Sequence, residues 1–95
     1  MLKNGGIIMA LTRNDAAVLK QVTNHFESAL QIATKMKRKR SDIVYRTLVR
    51  ISNREGVLES RIVTIGRHQQ TVWRLKPGTE AAVAELIQLA ETKAR

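Results

Sequence analysis

At 95 residues with 43% hydrophobic content, the chain suits one domain with a modest core and is too short for two. It has no cysteine, which excludes a disulfide framework and a thiolate metal site, and its two histidines, His25 and His68, stand too far apart to replace one. The formal net charge is +9, distributed as +1 over residues 1–34, +9 over residues 35–76 and −1 over residues 77–95. A basic block confined to the middle of the chain is the footprint of a polyanion partner, because each Lys or Arg that neutralises a phosphate releases condensed counterions. Its plainer reading is a solvated face that aids solubility.

Residues 1–10 read as a flexible tail. The apolar run Ile7–Leu11 is too short for a secretory core or a bilayer span, and Met9 offers a second start codon besides Met1. Thr12 with Asp15 three residues on is a capping-box pattern that opens a first helix reaching about His25, with Leu19, Val22 and Phe26 on one apolar stripe. Ser28 with Gln31 repeats the pattern and opens a short second helix, whose Ala29, Ile32, Ala33 and Met36 share a face. That helix runs into Lys35–Arg40, where five of six residues are basic. Ser41 is a third N-cap candidate, and Asp42 suits the positive end of the helix dipole. The spacing predicts a third helix over residues 41–55. Ile43, Val44, Thr47, Leu48 and Ile51 fall on one face, Asp42, Tyr45, Arg46 and Val49 on the other with Arg50 at its edge, and Gly56 follows as a natural stop.

Beyond Gly56 the period becomes alternating and the composition β-branched, which predicts two strands in a hairpin over residues 60–75. The polar stretch Gly66–Gln70 reads as a loop longer than the tightest hairpin type. Val44, Leu48, Ile51, Trp73 and Leu75 are core candidates. Lys76-Pro77-Gly78 breaks the second strand, and Thr79 is placed to cap a final helix over residues 79–93. That helix carries two apolar rows, Val83/Ile87/Ala90 and Ala82/Leu86/Leu89, more than one contact with a small domain requires.

Three short helices followed by a hairpin is the layout of a winged helix-turn-helix. The expected fold is therefore α+β and mostly helical: three helices, a two-stranded β-hairpin wing and a C-terminal helix, in one domain over residues 11–95. The segment Ile32-Ala33-Thr34-Lys35-Met36, followed by Ser41–Ile51 and Gly56-Val57-Leu58-Glu59, resembles the MarR-like winged-helix regulators. Val72-Trp73-Arg74-Leu75-Lys76-Pro77-Gly78 is similar to the last wing strand of that superfamily and its turn, and Leu11-Thr12 fits the head of its first helix. The chain departs from the pattern in three places. The connection from Met36 to Val44 is one residue longer and lacks the usual glycine, which predicts a looser loop than a tight corner. Another residue is added between Ile51 and Gly56. The long amino-terminal helix that helps form the family's dimer and effector pocket is missing, so small-molecule sensing is not carried over.

The resemblance implies base-reading roles for Arg40, Ser41, Asp42, Tyr45, Arg46 and Arg50. The planar fork of arginine can donate two bonds to guanine, and Arg46 is the leading candidate. Lys35, Lys37, Arg38 and Lys39 sit where the turn nears the backbone and are expected on phosphates. Arg67, His68, Gln69 and Gln70 at the wing tip are expected at the minor groove or flanking phosphates. Plainer readings stand beside these: Tyr45 lying over a neighbouring helix, both histidines solvated, Asp42 orienting an arginine. The double apolar row of the last helix suggests a homodimer interface of Val83, Leu86, Ile87, Leu89 and Ala90, the alternative being that the helix folds back on its own domain.

The function expected is sequence-specific double-stranded DNA binding by a homodimeric transcriptional regulator, cytoplasmic and associated with the nucleoid. In that arrangement helix 41–55 enters the major groove and the wing lies on the adjacent minor groove. The alternative is a winged-helix module for protein–protein assembly or RNA binding. Catalysis is not expected, since the eight carboxylates are scattered, the histidines unpaired and no glycine-rich phosphate loop is present. No cofactor, metal, small-molecule ligand or membrane partner is expected either; the helix after the basic block lacks the broad bulky face that membrane binding needs.

Overall fold

In a computed structural model that describes residues 11–93, the chain runs α1 (Arg13–Gln21), β1 (Glu27–Ser28), α2 (Ala29–Lys35), α3 (Ser41–Glu55), β2 (Leu58–Ile65), β3 (His68–Leu75) and α4 (Glu80–Lys93). This is an α+β winged helix, with a three-stranded antiparallel sheet in the order β1-β3-β2. The expected tail over residues 1–10 lies outside the described residues. No helix among those described is long and apolar enough to cross a membrane.

Both predicted capping boxes form. The Thr12 hydroxyl accepts from the Asp15 amide at 3.0 Å while Asp15 Oδ2 accepts from the Thr12 amide at 3.1 Å, so two orphan donors of α1 are satisfied reciprocally. Ser28 and Gln31 do the same for α2, at 3.1 and 2.8 Å. The first helix is shorter than its apolar stripe suggests, ending at Gln21 instead of near His25. Val22 is extended, the Thr23 hydroxyl accepts from the His25 amide at 3.1 Å, and the Thr23 carbonyl accepts from the Leu75 amide at 2.8 Å. Phe26 thereby leaves the helix and lies under two guanidinium groups of the sheet, Arg61 at 4.3 Å and Arg74 at 4.6 Å from the ring centre. The next two residues form β1, pairing Glu27 with Trp73 and Ser28 with Val72. The expected two-stranded sheet thus gains a third strand, too short to show any alternation in sequence.

The core lies between the helices and the inner face of the sheet. Leu19, Ile32, Val44, Leu48 and Ile51 are fully buried, and Leu58 and Trp73 close the cluster from the sheet side, with Leu75 partly buried at its margin. Each such side chain contributes roughly 1.5–3 kcal/mol of burial free energy. Trp73 and Tyr45 form a T-shaped pair with ring centres 6.0 Å apart, and Trp73 Nε1 finds no acceptor among the described residues. The hairpin pairs without interruption from Leu58 with Leu75 to Ile65 with His68, so the turn is the two residues Gly66-Arg67 and not a longer loop. Gly66 has φ 62°, the positive first position that a tight II′-type hairpin reserves for glycine.

Thr79 stands at the N-cap position of the last helix, its carbonyl accepting from the Val83 amide at 2.9 Å while its hydroxyl donates to the Lys76 carbonyl at 2.6 Å. The last helix corrects one expectation. The helix then folds over its own domain against α1, burying Val83 and Ala90 in the core, leaving Leu86 and Ile87 partly buried and joining Lys20 to Glu91 as an ion pair. Val83 and Ala90 are therefore consumed within the monomer and cannot serve a dimer interface. Leu89, by contrast, is exposed.

Candidate nucleic-acid interface

The basic turn between α2 and α3 is built by a helix stop. The Arg38 amide donates to the Ala33 carbonyl at 2.9 Å and the Lys37 amide to the Thr34 carbonyl at 3.0 Å, the paired six-to-one and five-to-two bonds of a Schellman motif. Lys37 occupies the left-handed position of that motif with φ 58°, where glycine is the ordinary choice. The connection is thus a tight corner and not the looser loop expected from its missing glycine. Arg40 holds the N-cap position of α3 without a side-chain cap bond, and Ser41, expected as the cap, is the first helical residue.

The expected phosphate contacts divide here. Lys35 is fastened within the molecule: its Nζ donates to Glu27 Oε1 at 2.9 Å and to the Gln21 carbonyl at 2.6 Å, which ties α2 to the end of α1. Among the described residues, Lys37, Arg38 and Lys39 make no ion pair; Lys37 and Lys39 are exposed and Arg38 is half-buried.

Along α3 the buried row Val44, Thr47, Leu48 and Ile51 turns the opposite row outward. Arg40 and Asp42 bind each other through two bonds, Nε to Oδ1 at 2.9 Å and Nη2 to Oδ2 at 2.8 Å. The guanidinium beside it holds the Asp42 carboxyl down to about 2, chiefly by that hydrogen bond. Because this value is depressed, the charged pair is intact above the usual carboxylate range and is lost only as pH falls through about 2. At neutral pH the Arg40 charge is accordingly balanced, and Asp42 orients an arginine. Arg46, one turn on, is exposed and free of any ion pair among the described residues. Tyr45 is 44% exposed and leans on Trp73 of β3 instead of on a neighbouring helix.

Arg50 is differently employed. Its guanidinium is bonded to the carboxylate of Asp15, whose side chain is only 2% exposed, so the residue expected at the edge of the reading face also pins α3 to the first turn of α1. Arg54, not anticipated, joins Arg46, Val49 and Asn53 around an open recess on the outer face of α3. The helical spacing Arg46, Arg50, Arg54 carried that signal in the sequence.

The wing approaches the start of α3 across a groove of about 500 Å³ lined by Ser41, Asp42 and Tyr45 on one side and Gln69 and Gln70 on the other. Only Arg67 of the four expected wing-tip residues lies in the turn itself. His68, Gln69 and Gln70 are strand residues opposite Ile65, Thr64 and Val63. Among the described residues no group of three or more His, Cys, Asp or Glu side chains is placed to hold a metal ion.

No protein-family model matches this sequence, nor does any curated protein. Among solved structures, the chain is similar to a PadR-like transcription factor from Bacteroides fragilis determined by X-ray crystallography, with a TM-score of 0.64 and 19% sequence identity over 84% of this chain and 85% of that one. A likeness at that identity concerns the fold. It supports a winged helix at large and does not extend to the MarR-like resemblance in particular.

Proposed function

We propose that this protein is a sequence-specific double-stranded-DNA-binding transcriptional regulator that lays α3 in the major groove and rests the β2–β3 wing on the adjacent minor groove. One observation carries the reading: cations without a carboxylate partner among the described residues stand on the turn (Lys37, Lys39), on the outward row of α3 (Arg46) and at the wing turn (Arg67), the three parts a winged helix offers a duplex. The solved structure named above, which is similar in fold, is itself described as a transcription factor, which agrees. In this reading Arg46 reads a base edge, Lys37, Arg38 and Lys39 hold phosphates, and Tyr45, braced by Trp73, packs on a sugar. Two copies act together on a near-palindromic site, with the outer row of α4 around the exposed Leu89 as the contact, since the inner row is occupied. The protein is expected to work in the cytoplasm, on the nucleoid, without enzymatic activity.

Selection of bound sites from random duplexes tests this. A palindromic consensus is expected. On that site Arg46→Ala costs about 1–3 kcal/mol and relaxes one position, whereas replacing Lys37 and Arg38 weakens all sequences and flattens the log–log salt slope by about 0.9 per lost phosphate contact. Duplex binding indifferent to both changes, or enrichment from an RNA pool instead, overturns the proposal.

A further inference from the structure

The outer half of the wing holds side chains that binding through cations does not use. The two most exposed large apolar residues among those described, Ile62 at 64% and Ile65 at 61%, both lie there. An isoleucine left in water forgoes the roughly 1.5–3 kcal/mol that burial supplies. Strand preference does not explain them, because Thr64 between them is equally β-branched and polar. Nor does pairing, since their opposite numbers are the polar Thr71 and His68.

Geometry separates the two isoleucines. The minor groove of B-DNA is about 6 Å wide, and paired strands stand about 4.8 Å apart before side chains are added, so the ribbon cannot enter and only its tip can. That tip is Gly66-Arg67, flanked by the pair Ile65 and His68. Ile62 lies three residues back, about 10 Å along the strand, and on the other face of the sheet because side chains alternate. No carboxylate occurs from Ser60 to Thr79, so nothing of the wrong sign accompanies the tip toward phosphate.

We infer that Ile65 is an apolar wedge: with Arg67 in the minor groove, its side chain inserts at a flexible pyrimidine–purine step, partly unstacks it and bends the duplex toward the major groove. This adds a DNA-bending activity to, and rests on, the duplex-binding reading above. The full chain is titrated into a duplex from the selected pool that carries a fluorophore at each end and, at the TA or CA step facing the wing, a fluorescent adenine analogue whose emission rises when it unstacks. Binding is expected to raise both end-to-end transfer and analogue emission. Ile65→Ser, at an exposed site that leaves the fold intact by circular dichroism, abolishes both while weakening Kd by no more than about tenfold. Ile62→Ser, the internal comparison, leaves both signals unchanged. Binding without either signal overturns the wedge alone, as does an Ile65→Ser variant that still bends, or an Ile62→Ser variant that fails equally. A wild-type chain that binds no duplex overturns the duplex reading and the wedge with it.

Discussion

Helix α3 and the outer wing both present exposed cations, from opposite mechanical situations. α3 buries Val44, Thr47, Leu48 and Ile51 and is tied to α1 through Arg50 and Asp15, so Arg46 projects from a helix fixed on several sides. From Val63 to Gln70 the hairpin buries no side chain and is held by strand pairing alone. Specific readout needs side chains positioned in advance, which favours α3. Contact with a groove of variable width favours the element that yields. Under the proposed duplex binding, selectivity would fall to the helix and accommodation to the wing.

The largest expected effect is on the anchoring itself. Leu48→Ala removes a fully buried side chain and should cost about 2–5 kcal/mol in urea unfolding, while Gln69→Ala in the outer wing stays within about 0.5 kcal/mol. Comparable losses at the two positions would erase the contrast. Next comes the link between helices. Arg50→Ala leaves the carboxylate of Asp15 buried with only the Thr12 amide as partner, at a cost of about 1–3 kcal/mol, less than for a fully buried pair because the arginine is partly solvated. The same variant should weaken duplex binding by more than its lost charge accounts for, seen as a fall in affinity that persists when salt is raised. The smallest effect acts on the corner that aims α3. Lys37→Gly relieves about 1–2 kcal/mol of left-handed strain against about 0.5–1 kcal/mol of added chain entropy. Thermal unfolding should therefore show a net gain of up to about 1.5 kcal/mol, while the salt slope of binding flattens by about 0.9.

What the sequence made legible is local. Both capping boxes, the third helix with its buried row, and the stop at Gly56 follow from residues within one or two turns of each other. What stayed hidden depends on distant partners. Phe26 continues the helical spacing of Leu19 and Val22, yet a turn at Thr23 and a bond from Leu75 carry it to the sheet. Asp15 and Arg50 are separated by 35 positions, and each had a sufficient local explanation as a cap and a reading residue. Lys35 similarly looked like one more cation in a basic run until Glu27 came within 2.9 Å. The two apolar rows of α4 signalled more surface than one contact needs, but periodicity cannot say which row meets its own domain. Packing against α1 takes Val83 and Ala90.

The two-residue strand Glu27–Ser28 gives the wing a pivot. It grips β3 at Val72 and Trp73, so the hairpin beyond Thr71 is an arm about 13 Å long at strand rise. A tilt of about 10° at that pivot moves the tip by about 2 Å, comparable to differences in minor-groove width between stiff and flexible DNA sequences. In the duplex-binding mode proposed above, the base of the wing would stay in register with the core while its end followed the groove. Under that proposal a pairing of two residues would serve as a hinge pin, converting small rotations at the root into larger displacements at the tip.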